Sequence, residues 1–237
     1  MARLQPMPSI VVTSQELMPF GRAWESNKGS LSRTPPYSSM QLGEVFDARV
    51  GAALAAMLGN IPIVRPNAAS LLPQQVDCLE VGPCRLVGGV RPQNFDVGYR
   101  PDGIRFAFDS KTLNDAKSVQ KNYQNMINDL ATEATTVHTR FPYAVVAFLV
   151  AVPTPCLESP QKEALTETLE RLGQRSSPLD LAHKAEAISL VLWDPGTGRI
   201  DPSWPSEGSA LRIELLSQQI ERAYVTRYKG LPPHAAD

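Results

Sequence analysis

The run "PYAVVAFLVAVP" constrains this chain most. From Ala144 to Val152 every residue is apolar, and Pro142 and Pro153 bound the stretch. It is too short to cross a membrane, and no run in the chain approaches the roughly 18 apolar residues that a span needs. A short apolar run between prolines reads instead as a central strand buried on both faces. "EAISLVLWDPGTG" is a second strand ending in a turn. Helices alternate with them. Residues 117–138, "KSVQKNYQNMINDLATEATTVH", place Val119, Tyr123, Met126, Ile127, Leu130 and Ala134 on one helical stripe. "SPQKEALTETLERLG" has Ser159 as N-cap, Pro160 at the first helical position and Gly173 as the stop.

Upstream, "QLGEVFDARVGAALAAMLGN" is a helix with its stripe at Leu42, Phe46, Val50, Leu54 and Met57, closed by Gly59-Asn60. Residues 1–40, rich in Ser, Pro and Gly, read as an irregular arm carrying Arg22, Lys28 and Arg33. Prolines at 62, 66, 73, 83 and 92 make the next stretch loop-like, with short strands at 61–64 and 85–90. "SALRIELLSQQIERAYVTRY" closes the chain as a strand or helix running into a helix. Residues 41–237 are therefore expected to form one α/β domain. A formal net charge of −1 neither supports nor excludes a polyanionic partner. Cys78, Cys84 and Cys156 show no zinc-like pairing, and the N-terminal residues have no apolar stretch of signal-peptide length. A reduced cytoplasmic compartment and no membrane association are the corresponding expectations. His138, His183 and His234 are isolated and read as capping or surface groups.

The chemistry concentrates in "FDVGYRPDGIRFAFDSK". Pro101-Asp102-Gly103 is strong turn chemistry, so the segment reads as a hairpin. If Tyr99 pairs with Ile104, Val97 faces Phe106 and Phe95 faces Phe108, giving one wholly apolar face. Asp96, Gly98, Ala107, Asp109 and Lys111 then share the other face, with Asp96 diagonal to Asp109. A bulge at Gly103 is the rival register and would separate the two acids. Converging carboxylates need a counter-charge. Lys111 can neutralise one, and a divalent cation such as Mg²⁺ can neutralise both while polarising a phosphoryl oxygen. A lysine beside such an ion can orient or help deprotonate the attacking water. A surface ion pair is the plain alternative. A second acid-x-Lys triplet, Asp115-Ala116-Lys117, follows no strand and reads as helix-entry chemistry, with Asn114 or Asp115 capping.

Asp96, then twelve residues, then Asp109-Ser110-Lys111 resembles the PD-(D/E)xK nuclease signature. The surrounding order, an acid-bearing helix, a hairpin with the motif, a long helix and a buried strand, is similar over roughly residues 42–152. "KNYQNMINDL" resembles the helix that follows the motif in several type II restriction enzymes. The resemblance implies a restriction-endonuclease-like α/β core, a central mixed β-sheet flanked by helices. It implies Mg²⁺ held by Asp96, Asp109 and the backbone carbonyl of Ser110, with Lys111 acting on water. Glu44 matches the acid that members carry on the first helix, and equally reads as a solvated first-turn acid. The literal Pro-Asp of the motif occurs as Pro101-Asp102, so Asp102 competes with Asp96 for the role of first acid.

By this resemblance the chain would cut double-stranded DNA at a specific site, as a homodimer with a cognate DNA methyltransferase as genetic partner. Lys117, Lys121, Asn122, Asn125, Arg100 and Arg105 are the candidate nucleic-acid contacts. Two alternatives stay open. One is a structure-selective or repair nuclease on the same core, and the other is a nucleic-acid-binding protein that has lost catalysis.

Overall fold

The computed structural model describes residues 3–67 and 69–235, the Gln120 side chain excepted. Five α-helices are described: α1 (Ser14–Ser26), α2 (Ser39–Met57), α3 (Val119–His138), α4 (Ser159–Leu172) and α5 (Ile213–Tyr228). Six strands, β1 (Ile63–Val64), β2 (Leu79–Val87), β3 (Pro92–Tyr99), β4 (Phe106–Thr112), β5 (Val145–Pro153) and β6 (Ala187–Trp193), form one sheet in that order. The sheet is mixed. β2, β3 and β4 are antiparallel neighbours, while β4, β5 and β6 run parallel. Parallel neighbours need crossovers, and α3 and α4 supply them. α2 and α5 pack on one face of the sheet, and α3 and α4 on the other. The expectation of an α/β chain with a central mixed sheet between helices therefore holds.

The opening apolar run becomes β5, buried at every position, and β6 is buried throughout as well. Both faces of these strands are covered, which removes their apolar surface from water at about 25 cal/mol per Å². Among the described residues no helix is long and apolar enough to cross a membrane.

Three expectations are corrected. The N-terminal arm is not irregular throughout, because α1 lies within it. Thr13 and Glu16 form a capping box at its start, and Leu17, Phe20 and Trp24 join the common core. Pro19 and Gly21 obscured that helix in the sequence. Gly21 is there for close packing: a Cβ would meet the Pro195 carbonyl oxygen at 1.9 Å. Second, β2 covers 79–87 rather than a short strand at 85–90. Gly82 and Pro83 sit where the register shifts between Val81 and Cys84, a bulge that lets the strand continue past a proline. Third, Glu158 rather than Ser159 caps α4, with Gln161 completing its capping box.

The hairpin register also differs. Tyr99 pairs with Phe106 and Val97 with Phe108, two residues from the expected pairing. A slip of two preserves every face, so the division into an apolar and a charged side survives. The connection is longer because its ends are pinned. Arg100 turns in to Glu80, and Arg105 to Asp102.

Candidate functional site

β3 and β4 stay paired as far as Val97 and Phe108 and then fork. β3 stays with β2 to the Val87–Pro92 pair, and β4 with β5 to Thr112. The fork opens a cleft of ≈ 300 Å³ beside the first turns of α2, walled by Gly43, Glu44, Asp47, Asp96, Asp109 and Ser110, with Arg65 from the segment after β1. Glycine brings the helix this close. A Cβ on Gly43 would stand 3.0 Å from Ser110 Oγ, and one on Gly51 would stand 2.5 Å from Val81 Cγ2. Asp47 lies on the same helical row between them, i+4 from Gly43 and i−4 from Gly51.

Continuing the register places Asp96 opposite Asp109, with Lys111 on the same strand face as Asp109. Asp96 Oδ2 accepts the Ser110 N–H at 3.0 Å and its hydroxyl at 3.3 Å. Lys111 Nζ donates to Asp109 Oδ2 and, at 2.9 Å, to Glu133 Oε1 of α3. Gln93 Nε2 donates to the same Glu133 oxygen at 3.0 Å. Asp47, Asp109 and Glu133 are buried. Asp47 Oδ1 and Glu133 Oε2 are buried without a hydrogen-bond partner.

Four carboxyl groups thus stand around one ammonium, and their proton affinities show the strain. Burial, then the Asp96 carboxylate, pushes Asp47 up to about 8. Burial, then the neighbouring Asp109, pushes Asp96 up to about 8. Asp109 rises to about 6, because burial and the Glu133 charge outweigh Asp96 and Lys111. Burial opposes the charge of Lys111, yet Asp109 and Glu133 outweigh it and hold the ammonium above its ordinary range.

Oxygen donors that repel one another and lack cations suit a hard divalent ion, and the orphaned Asp47 Oδ1 is an acceptor ready for one. At present Asp96 is turned to Ser110 and Asp109 to Lys111. Accordingly, among the described residues no group of three or more His, Cys, Asp or Glu is gathered closely enough to hold a metal ion. The residues fit such an ion in kind and place, and binding one requires both carboxylates to change partners.

The structure brings together Asp96, Asp109, Ser110 and Lys111. Ser110 makes its contacts there with its N–H and hydroxyl. Glu44 lines the cleft but is exposed, and the buried helix acid is Asp47, three residues later. The Gly43-x3-Asp47-x3-Gly51 row was the available signal: an acid flanked by two glycines sits where a helix touches a sheet. Glu133 was missed because it shows in the sequence only as one more polar helix position. Asp102 is a turn residue paired with Arg105, which leaves the role of first acid to Asp96.

Arg100 and Arg105 are corrected as nucleic-acid contacts, because both are buried and engaged. Arg100 meets Glu80 through Nε at 2.6 Å and Nη2 at 2.9 Å, and donates to the carbonyls of Leu71 and Arg85. Arg105 meets Asp102 and the Pro232 carbonyl, with its guanidinium over the Tyr228 ring. Lys117, Lys121, Asn122 and Asn125 are exposed at the start of α3 and do not line the cleft. Asp115 caps the preceding turn through Lys117 N–H and Ser118 Oγ. His138 and His234 are buried rather than superficial, and neither lines the cleft.

Comparison with known proteins adds no name to this geometry: no family model, curated protein or solved structure matches the chain.

Proposed function

We propose that the chain is a Mg²⁺-dependent phosphodiesterase acting on DNA, a nuclease with a restriction-endonuclease-like core. One observation carries the reading. Asp96, Asp109 and Asp47 converge from two forked strands and a helix on one cleft, with Lys111 at hand and too few cations to balance them. A structural salt-bridge cluster would be expected to balance its charges, and this one does not.

Asp96, Asp109 and Asp47 would hold the ion, with Asp47 taking the place first given to Glu44. Bound there, a divalent cation polarises a phosphoryl oxygen and acidifies water. Lys111, held between Asp109 and Glu133, would orient water and face phosphate negative charge. Arg65, exposed on the cleft wall, is the cation placed to meet a phosphate. Double-stranded DNA, cut at a specific site by a homodimer encoded beside a methyltransferase, is the restriction form of this proposal. The withdrawal of Arg100 and Arg105 from the surface into ion pairs favours a second form. A weaker grip on duplex phosphates suits a repair or structure-selective nuclease.

Plasmid incubated with the protein and Mg²⁺ tests both. Discrete fragments support restriction, while nicks or a smear support the repair form. Absence of cleavage, together with no Mg²⁺-induced rise in melting temperature, would overturn the nuclease reading. Any cleavage must vanish in Asp109→Ala.

A further inference from the structure

A second pocket, ≈ 390 Å³, lies at the opposite end of β4, between the 102–105 turn, the segment leading into β5 and the end of α5. The nuclease reading makes no use of it. Its wall is basic. Arg105, Arg140 and Arg227 line it against one carboxylate, Asp102, which Arg105 already engages.

Arg227 also belongs to a buried network with surplus positive charge. Glu186 Oε1 accepts from Arg175 Nη1 and Arg227 Nη1, each at 2.8 Å. Its Oε2 accepts the Val146 N–H at 2.7 Å and lies 3.2 Å from His138 Nε2. The two guanidinium side chains are only 1% and 4% exposed, so one carboxylate serves two buried cations. Asp180, the other acid near Arg175, is half-buried and accepts from the backbone N–H groups of Ser176 and Ser177. Arg227 Nη1 further donates to the Tyr143 and Ala144 carbonyls, yet Arg227 Nη2 is buried without a hydrogen bond, and so is Arg105 Nη1. A buried guanidinium nitrogen left without an acceptor is costly, and the planar fork matches a carboxylate or a phosphate.

The remaining wall is apolar and aromatic. Tyr143 is 60% exposed and Leu231 is 49% exposed. The Arg140 guanidinium lies 5.3 Å from the centre of the Phe141 ring. Such rings give a planar ligand body a surface to cover while its oxyanion meets the arginines.

We propose that this pocket binds a small organic oxyanion, a carboxylate or phosphate monoester with an aromatic or apolar body, at a site separate from the acid cleft. Four residue steps along β4 and its entry separate Arg105 from Asp109, about 13 Å at the usual rise. The proposal does not depend on the nuclease reading.

Calorimetric titration of the full chain with AMP and with benzoate tests it, one probe for each oxyanion. Saturable one-to-one binding of at least one probe is expected, weakened about tenfold or more in Arg227→Met and Arg140→Ala. Should Arg227→Met fail to fold, Arg140→Ala and Tyr143→Ala, both at exposed positions, carry the test. Asp109→Ala must bind as wild type does, whether or not it cleaves DNA. Failure of both probes to saturate overturns the proposal. So does binding that is unchanged in Arg140→Ala and Tyr143→Ala, or lost in Asp109→Ala.

Discussion

Toward β2, the end of β3 carries a closed pair: Arg100 meets Glu80 through two nitrogens, and both side chains are buried at 7% and 1% exposure. Toward β4, Asp109 and Glu133 share one lysine, Asp96 turns to Ser110, and Asp47 presses in from α2. Both regions are buried charge in one sheet. In the first, one guanidinium answers one carboxylate and carbonyls take its remaining donors, as expected of a group that holds a turn in place. In the second, three carboxyl groups sit above their ordinary proton affinity and two acceptor oxygens have no partner. Buried charge alone therefore says little about function, whereas unbalanced buried charge points to a missing ligand.

That contrast can be broken at either region. The largest expected effect is on stability, at the closed pair. Glu80→Ala leaves Arg100 buried and unpaired and should cost about 3–5 kcal/mol, read from denaturant midpoints. A loss below about 1 kcal/mol would show that the pair is not the structural element described here.

At the cleft the large effect should fall on activity instead. Asp96→Asn and Asp109→Asn should lower the proposed Mg²⁺-dependent cleavage by on the order of 10²–10³-fold, while leaving the melting temperature equal or higher. Unfolding of both variants would place them with Glu80 and erase the distinction.

Acidity gives a smaller effect with a definite sign. Asp47 binds its proton more tightly folded than unfolded, with values of about 8 against the ordinary 3.8. Between those limits the folded state holds more protons, so stability falls as pH rises through that window. Asp47→Asn removes its share of this slope and leaves that of Asp96 and Asp109. At pH 8 it should melt higher than wild type, by an amount worth at least about 1 kcal/mol, or roughly 2–4 °C. Parallel melting curves across pH 5–8 would remove the strained-acid account of the cleft.

The smallest effect belongs to Glu44→Gln. As an exposed wall residue it should change stability by less than about 0.5 kcal/mol and cleavage far less than Asp47→Asn does. The reverse order would restore Glu44 as the helix acid.

Much of this was legible in the chain itself. The apolar run 144–152 required a strand covered on both faces, because a nine-residue stretch without a polar atom in its side chains has no favourable exposed arrangement. Alternation in the hairpin assigned Asp96, Asp109 and Lys111 to one face, and a two-residue error in register left that assignment intact because the period is two. α1 stayed hidden because Pro19 and Gly21 weaken its local signal and only packing against the core compensates.

What the sequence determined by itself, then, was the layering and the shared face of the three charged residues. Periodicity encodes which side of an element is buried. Tertiary structure alone decided that β3 and β4 fork after Val97–Phe108, that Asp47 rather than Glu44 enters the gap, and that Arg100 and Arg105 turn inward to partners of their own. Those outcomes depend on contacts between residues far apart in the chain, such as Asp47 beside Asp96 and Arg105 at the Pro232 carbonyl, and on which charges find a counter-charge once water is excluded. Apart from the glycine spacing around Asp47, no local pattern carries that information.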